Sequence, residues 1–296
     1  MRKFFTMLLL IMLCSFLLAD LNDGLILDFS FSGNALDESG TGNDGTVYNA
    51  VLIPDRFGNQ DSAYQFGANK YIQVNSDSTL NLTNSLTMSA WIYLYANSSS
   101  WQSIFCKGET SSMNSPYALL IRNYRITFLP NRAEYYSSLS VPSEEWVHVA
   151  VVWDGNTIKY YLNGVKDTKE DTYTNTLNIA NNDLVIGKDA PGATEWFNGN
   201  LDDMRLYNRA LSDYEITQLY RMGDPNIPQN VTISVTNNQI NLFWDEVNGA
   251  TYNIYSSDSP DNQSANWNLV VTGITTTNWS TSVSDNKKFY RITAVK

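Results

Sequence analysis

Residues 145–165 constrain the fold more than any other stretch. They read Glu145-Trp146-Val147-His148-Val149-Ala150-Val151-Val152-Trp153, then Asp154-Gly155-Asn156, then Thr157-Ile158-Lys159-Tyr160-Tyr161-Leu162, then Asn163-Gly164-Val165. β-branched and aromatic residues fill the two runs. The residues between them tolerate positive φ, as tight hairpin turns require. This is an antiparallel meander, the unit from which sandwiches and barrels are built. Nothing in it supplies chemistry.

Similar short runs recur from Leu25 to Tyr207, broken by Gly, Asn, Asp and Ser clusters. The clearest are Leu25–Phe31, Ala63–Phe66, Tyr71–Val74, Leu86–Tyr95, Trp101–Lys107, Tyr117–Arg122, Arg125–Leu129, Leu184–Lys188 and Asn200–Tyr207. Met88, Ala90, Ile92 and Leu94 place apolar side chains on one face, as a half-buried strand does. So many strands with so little helical pattern predict an all-β, two-sheet jelly-roll sandwich. One helix is expected near its end. Ser212 and Glu215 make a capping box, Ile216, Leu219 and Tyr220 share a helical stripe, and Gly223 stands where a C-terminal glycine belongs. A proline-bearing linker follows at 224–229, and then a smaller all-β unit at 230–296.

Residues 1–19 read as a secretory signal peptide. A basic Met1-Arg2-Lys3 start precedes an apolar run from Phe4 to Leu18 and a small residue at Ala19. The protein is therefore expected to be secreted or held at the cell surface. Arg2 and Lys3 are two of its 19 basic residues; cleavage leaves 17 against 30 acidic ones, a formal charge of −13. That charge argues against nucleic acid and anionic membranes as partners. No later segment is apolar enough to span a bilayer. Cys106 would be the only cysteine left, so no internal disulfide is expected.

Several ordered blocks resemble the bacterial LamG-like domains of the concanavalin A-like lectin/glucanase superfamily. They are Gly33-Asn34-Ala35-Leu36-Asp37-Glu38-Ser39-Gly40-Thr41-Gly42-Asn43-Asp44-Gly45, Ala63-Tyr64-Gln65-Phe66-Gly67, Ser89-Ala90-Trp91, Trp146-Val147-His148-Val149-Ala150, Leu162-Asn163-Gly164, and Gly199-Asn200-Leu201-Asp202-Asp203-Met204-Arg205-Leu206-Tyr207. The resemblance covers about residues 20–223 and implies the jelly roll. The remainder, 230–296, resembles a fibronectin type III-like module through Trp244-Asp245, Gly249-Ala250-Thr251-Tyr252-Asn253-Ile254-Tyr255 and Phe289-Tyr290-Arg291-Ile292-Thr293-Ala294-Val295.

The search for catalytic groups yields little. His148 is the only histidine and sits mid-strand, so neither a Ser–His–Asp triad nor a zinc site has its ligands. Glucanases on the resembled fold carry two glutamates around an aspartate on one strand. No such triplet occurs here; Glu170-Asp171 reads as a charged turn and Glu195 as isolated. The chain is therefore expected not to be an enzyme. Calcium has a better footing, because the loop from Asp37 to Asp44 offers carboxylate, amide and carbonyl oxygens. Strict alternation from Met204 and Leu206 would turn Asp202 to the buried side, where a carboxylate wants a cation. Asp37, Asn43 and Asp202 are the expected ligands, and the resemblance implies a structural calcium between the first loop and the last strand, as related domains often hold. A sugar would need exposed aromatic rings beside polar loop residues. Tyr135, Tyr136 and Trp196 are the expected ligand-binding residues. The reading is a non-catalytic glycan-binding protein with a structural calcium. The alternatives are a protein-binding adhesin or surface scaffold, and a glycosidase with an unrecognised site.

Overall fold

The computed structural model describes residues 20–96, 101–108, 115–189, 195–224, 227–228, 230–257, 267–283 and 289–295. The expected signal peptide, the loop at 97–100 and much of the expected linker lie outside the described residues. In chain order the strands are β1 (Leu25–Phe29), β2 (Gly45–Tyr48), β3 (Val51–Ile53), β4 (Ala63–Phe66), β5 (Tyr71–Val74), β6 (Leu86–Leu94), β7 (Trp101–Lys107) and β8 (Tyr117–Arg122). They continue as β9 (Arg125–Phe128), β10 (Tyr135–Tyr136), β11 (Trp146–Trp153), β12 (Thr157–Leu162), β13 (Val165–Thr172), β14 (Leu184–Ile186) and β15 (Gly199–Tyr207). Helix α1 (Asp213–Arg221) follows.

These strands make two antiparallel sheets. Sheet A runs β13-β12-β11-β6-β15-β4-β3, with β1 also paired to β15; sheet B runs β10-β9-β8-β7-β14-β5-β2. Between them lies a single apolar core. Met88, Ala90, Ile92 and Leu94 of β6 and Val147, Val149, Val151 and Trp153 of β11 face Ile72, Val74, Leu119 and Ile121 from sheet B. Each large aliphatic side chain buried this way contributes about 1.5–3 kcal/mol. The meander forms as its sequence demands. Asp154 accepts hydrogen bonds from the amides of Asn156 and Thr157, and Asn163 and Gly164 both take positive φ, 52° and 73°.

Helix α1 covers part of the outer face of sheet A. The Ser212–Glu215 capping box forms, and Gly223 has φ 73° just past the helix. Ile216 and Leu219 pack on Leu25, Ala150, Val152, Tyr161 and Tyr207. Tyr220 stacks over Trp91 with ring centroids 5.4 Å apart.

Two expectations about strands fail for a physical reason. Glu170 and Asp171 do not form a turn; they lie on β13, at the edge of sheet A. Charged side chains on an edge strand discourage pairing with another chain. Asp202 does not share a face with Met204 and Leu206. A bulge interrupts β15 between Asp202 and Arg205, with Asp203 at φ 43°, and the extra residue reverses the alternation. Leu201, Met204 and Leu206 enter the core, while Asp202 lies opposite Trp91 under α1.

After α1 come β16 (Thr232–Thr236), β17 (Gln239–Phe243), β18 (Thr251–Ser257), β19 (Asn268–Ile274), β20 (Asn278–Ser282) and β21 (Phe289–Val295). They form two three-stranded sheets, β16-β17-β20 and β19-β18-β21. Leu242, Trp244, Val247, Tyr252, Ile254 and Ile292 make their own core.

Candidate functional site

The outer face of sheet B carries a row of aromatic groups beside a cation. Tyr71-Ile72-Gln73-Val74 alternates, sending Ile72 and Val74 into the core and Tyr71 and Gln73 outward. On the neighbouring strand Tyr48 lies opposite Tyr71, and the two rings stack at 4.5 Å with 10° between their planes. The chain after β14 adds two more groups. Residues 187–189 and 195–197 form a short antiparallel pair, held by Asp189 N–H to Glu195 O and Phe197 N–H to Gly187 O. That pairing places Trp196 with its ring centroid 6.3 Å from Tyr71. Lys188 extends over both, with Nζ 3.9 Å from the Tyr71 centroid and 5.3 Å from that of Trp196.

Three rings thus form one continuous surface, half-buried at Tyr71 and Trp196 and exposed at Tyr48, with Lys188 buried against them. Gln73 borders it and donates through Nε2 to Asp183, which also accepts from the Ser76 amide. Farther along the sheet Arg122 lies 4.1 Å over the Trp101 ring and pairs with Glu134. Cys106, Ala118, Leu120 and Leu129 are buried beneath this part of the face.

Glu195 has the most unusual electrostatics here. Burial and the adjoining Asp189 carboxyl, to which it is hydrogen-bonded, push it up to about 7, with Arg122 opposing. Two carboxyls in contact cannot both ionise without strong repulsion, so Glu195 keeps its proton to higher pH than a free carboxyl. Burial lowers the neighbouring Lys188, and Asp189 partly restores it.

The residues expected from sequence are dispersed. Tyr135 and Tyr136 are not in a loop; they form the edge strand β10, so they point to opposite sides. Tyr135 packs toward the core against Tyr173, with centroids 5.9 Å apart. Tyr136 is exposed, with Lys169 4.4 Å from its ring. Four strand spacings separate β10 from β14, about 19 Å, so Tyr136 and Trp196 do not share one contact surface. Tyr48, Tyr71, Lys188 and Glu195 were missed. Alternation around Ile72 signals Tyr71, but the stacking of Tyr48 and the meeting of Glu195 with Asp189 depend on strand pairing.

Asp37 and Asn43 lie together in the first loop. Asp37 accepts from the amides of Asp28, Ser39 and Asn43 and from the hydroxyls of Ser39 and Thr41. These hydrogen bonds outweigh burial and hold its carboxyl below the usual range. Asn43 bonds to Ile26 O and Thr79. Asp202 is elsewhere, 2.7 Å from Arg56, which also pairs with Asp203 at 2.7 Å and donates to Met222 O. The Arg56 guanidinium lies 4.4 Å from both the Phe57 and Trp91 rings. His148 is fully enclosed near Trp91 and Tyr220, with Nε2 2.8 Å from Ser89 Oγ. Burial, with Arg56 nearby, lowers it to about 3.

The two-sheet sandwich agrees with the family match. The Laminin_G_3 family, described as the concanavalin A-like lectin/glucanases superfamily, matches residues 66–217, and the chain belongs to it. Among solved structures, domain 4 of AbnA, an extracellular GH43 arabinanase from Geobacillus stearothermophilus in complex with arabinotriose, is similar at 19% identity and TM-score 0.55; the match covers 66% of this chain and 98% of that domain. The binding domain of botulinum neurotoxin DC, in complex with rat synaptotagmin II, is similar at 16% identity and TM-score 0.54, covering 92% of this chain and 74% of that one. A botulinum neurotoxin type C structure, whose cell entry depends on interaction with two ganglioside molecules, gives 15% identity and TM-score 0.54, covering 90% and 81%. These likenesses carry the fold. No curated protein matches by sequence.

Proposed function

We propose that this chain is a non-catalytic glycan-binding protein that presents sugar to the outer face of sheet B. The observation that carries the reading is the surface of Tyr48, Tyr71 and Trp196 with Lys188 between them. Sugar rings present apolar C–H faces that pack on aromatic rings, and flanking polar groups orient their hydroxyls. The arabinotriose complex of AbnA domain 4 and the ganglioside dependence of neurotoxin C support a sugar on this fold. The test is a glycan array probed with the signal-free chain and with Tyr71→Ala. Loss of every array signal in the folded variant supports the platform; an unchanged profile places the site elsewhere. Binding to a surface protein with no glycan retained would replace this reading with the adhesin.

A hydrolytic reading draws on Glu195, whose raised carboxyl suits a general acid at neutral pH. Its geometry disfavours that role. Glu195 and Asp189 are hydrogen-bonded, whereas glycosidase carboxyls stand about 5–9.5 Å apart to flank the scissile bond. Release of reducing sugar that disappears in Glu195→Gln would revive the enzyme.

The same proposal includes export through residues 1–19, a sandwich at 20–223, a linker at 224–229 and a fibronectin type III-like module at 230–296. It also includes a structural calcium on the first loop. The oxygen-rich run from Asp37 to Asp44 supports it, although Asp202 is engaged by Arg56 and Asp37 already accepts several donors. A cation there has to displace those donors. A rise in melting temperature with calcium that Asp37→Asn removes would support the ion.

A further inference from the structure

Strand β16 is the outermost strand of its sheet, and among the described residues it pairs on one side alone, with β17. All five of its residues are exposed, and so is Val231 before it. Ile233 shows 58% of its surface and Val235 63%. They lie opposite Leu242 and Ile240, so this open aliphatic row continues the side of the sheet that builds the core.

Proteins usually blunt such an edge with a charge, a proline or a bulge. Here no charged residue stands between Asp224 and Asp245, Pro228 precedes the strand, and the β16–β17 register runs without a shift. The free edge is regular, neutral and apolar on one face.

The order of its residues identifies what fits it. Val231-Thr232-Ile233-Ser234-Val235 reads with the same chemistry in both directions about Ile233. In an antiparallel pair of two identical strands centred there, Val231 stands opposite Val235 of the second copy. Thr232 then stands opposite Ser234, and Ile233 opposite itself. Apolar meets apolar and hydroxyl meets hydroxyl at every step, which favourable cross-strand pairing requires. A twofold contact must be self-complementary in this way. We propose that the chain forms a homodimer through antiparallel β16–β16 pairing, which joins the two three-stranded sheets into one of six strands. This inference is independent of the glycan reading.

The experiment is sedimentation velocity of the signal-free full chain over a wide concentration range. A monomer–dimer equilibrium is expected, and Ile233→Lys should abolish it, because two ammonium groups would meet at the twofold axis. Ile233 is exposed, so the variant retains its core. Oxidative cross-linking then fixes the register. Ile233→Cys should form a covalent dimer, since directly opposed Cα atoms lie about 4.5–5.5 Å apart, within disulfide reach. Val235→Cys should not, because its own copies would be about 14 Å apart. Cys106 is buried and does not compete. A wild type that stays monomeric throughout, a dimer that survives Ile233→Lys, or cross-linking at 235 rather than 233 would each overturn the proposal.

Discussion

The two outer faces of the large sandwich solve opposite problems. Beyond a half-buried cluster of Tyr93, Tyr95 and Trp146, the face of sheet A is sealed. Helix α1 covers it, Tyr220 stacks on Trp91, and Arg56 is held between two rings while it pairs with Asp202 and Asp203. Arg56, Asp202 and Asp203 are locked to one another there, while Trp91 Nε1 and His148 Nδ1 find no hydrogen-bond partner among the described residues. The face of sheet B also collects rings and a charge, but leaves Tyr71 and Trp196 half open and Tyr48 exposed, with Lys188 buried against them. The same residue types serve as fasteners on one face and as a contact surface on the other. What separates them is the covering helix.

The largest expected effect is on the sealed face. Above pH 8, where Asp202, pushed up to about 8 chiefly by burial, is ionised, Arg56→Ala would leave its carboxylate without its cation, and breaking a buried pair costs about 3–5 kcal/mol. Urea unfolding of the two proteins measures this; a loss under 1 kcal/mol would show that water reaches Asp202 and that the face is not sealed. On the open face Tyr71→Ala should cost about 1–3 kcal/mol in glycan affinity, a roughly tenfold to hundredfold weaker Kd. Titration calorimetry with a glycan found on the array checks it, and a binding loss matched by an equal folding loss would make Tyr71 a fastener too.

His148 on sheet A and Glu195 beside sheet B should respond to acid with opposite signs. His148 is lowered in the folded protein to about 3 from 6.5. Its contribution is present above pH 6.5 and is lost as pH falls toward 3. Glu195 is raised to about 7 from 4.5. Its contribution is present below pH 4.5 and is lost as pH rises through 7. Asp28 and Asp202 on sheet A, raised to about 6 and about 8 chiefly by burial, act in the same direction as Glu195, so the sign belongs to the group and not to the face. Between pH 5 and 8, Glu195→Gln should therefore flatten part of the decline in stability with rising pH. A variant whose pH profile overlays the wild type would show that Glu195 is not raised on the open face.

Much of the fold was legible because strand sequences state their own period. The alternation in β6, the turn residues of the meander and the capping box before α1 each act locally, and each is found where the sequence puts it. Short or charged strands were less legible. β2 has four residues, β10 has two, and β13 carries charge along its length, so none shows an apolar period. At the site, Trp196 was visible as an aromatic among polar neighbours. Its partners were not, because Tyr48 and Tyr71 come from strands that meet only in the sheet.

The sequence by itself determined the all-β class, the family, the meander and the helix, since each rests on residues within a few positions of one another. Tertiary structure alone decided which face Asp202 occupies, which rings join Trp196 and which carboxyl meets Glu195. One bulged residue at Asp203 reverses the alternation that the sequence implies, and cross-strand pairing brings together residues that no local pattern connects.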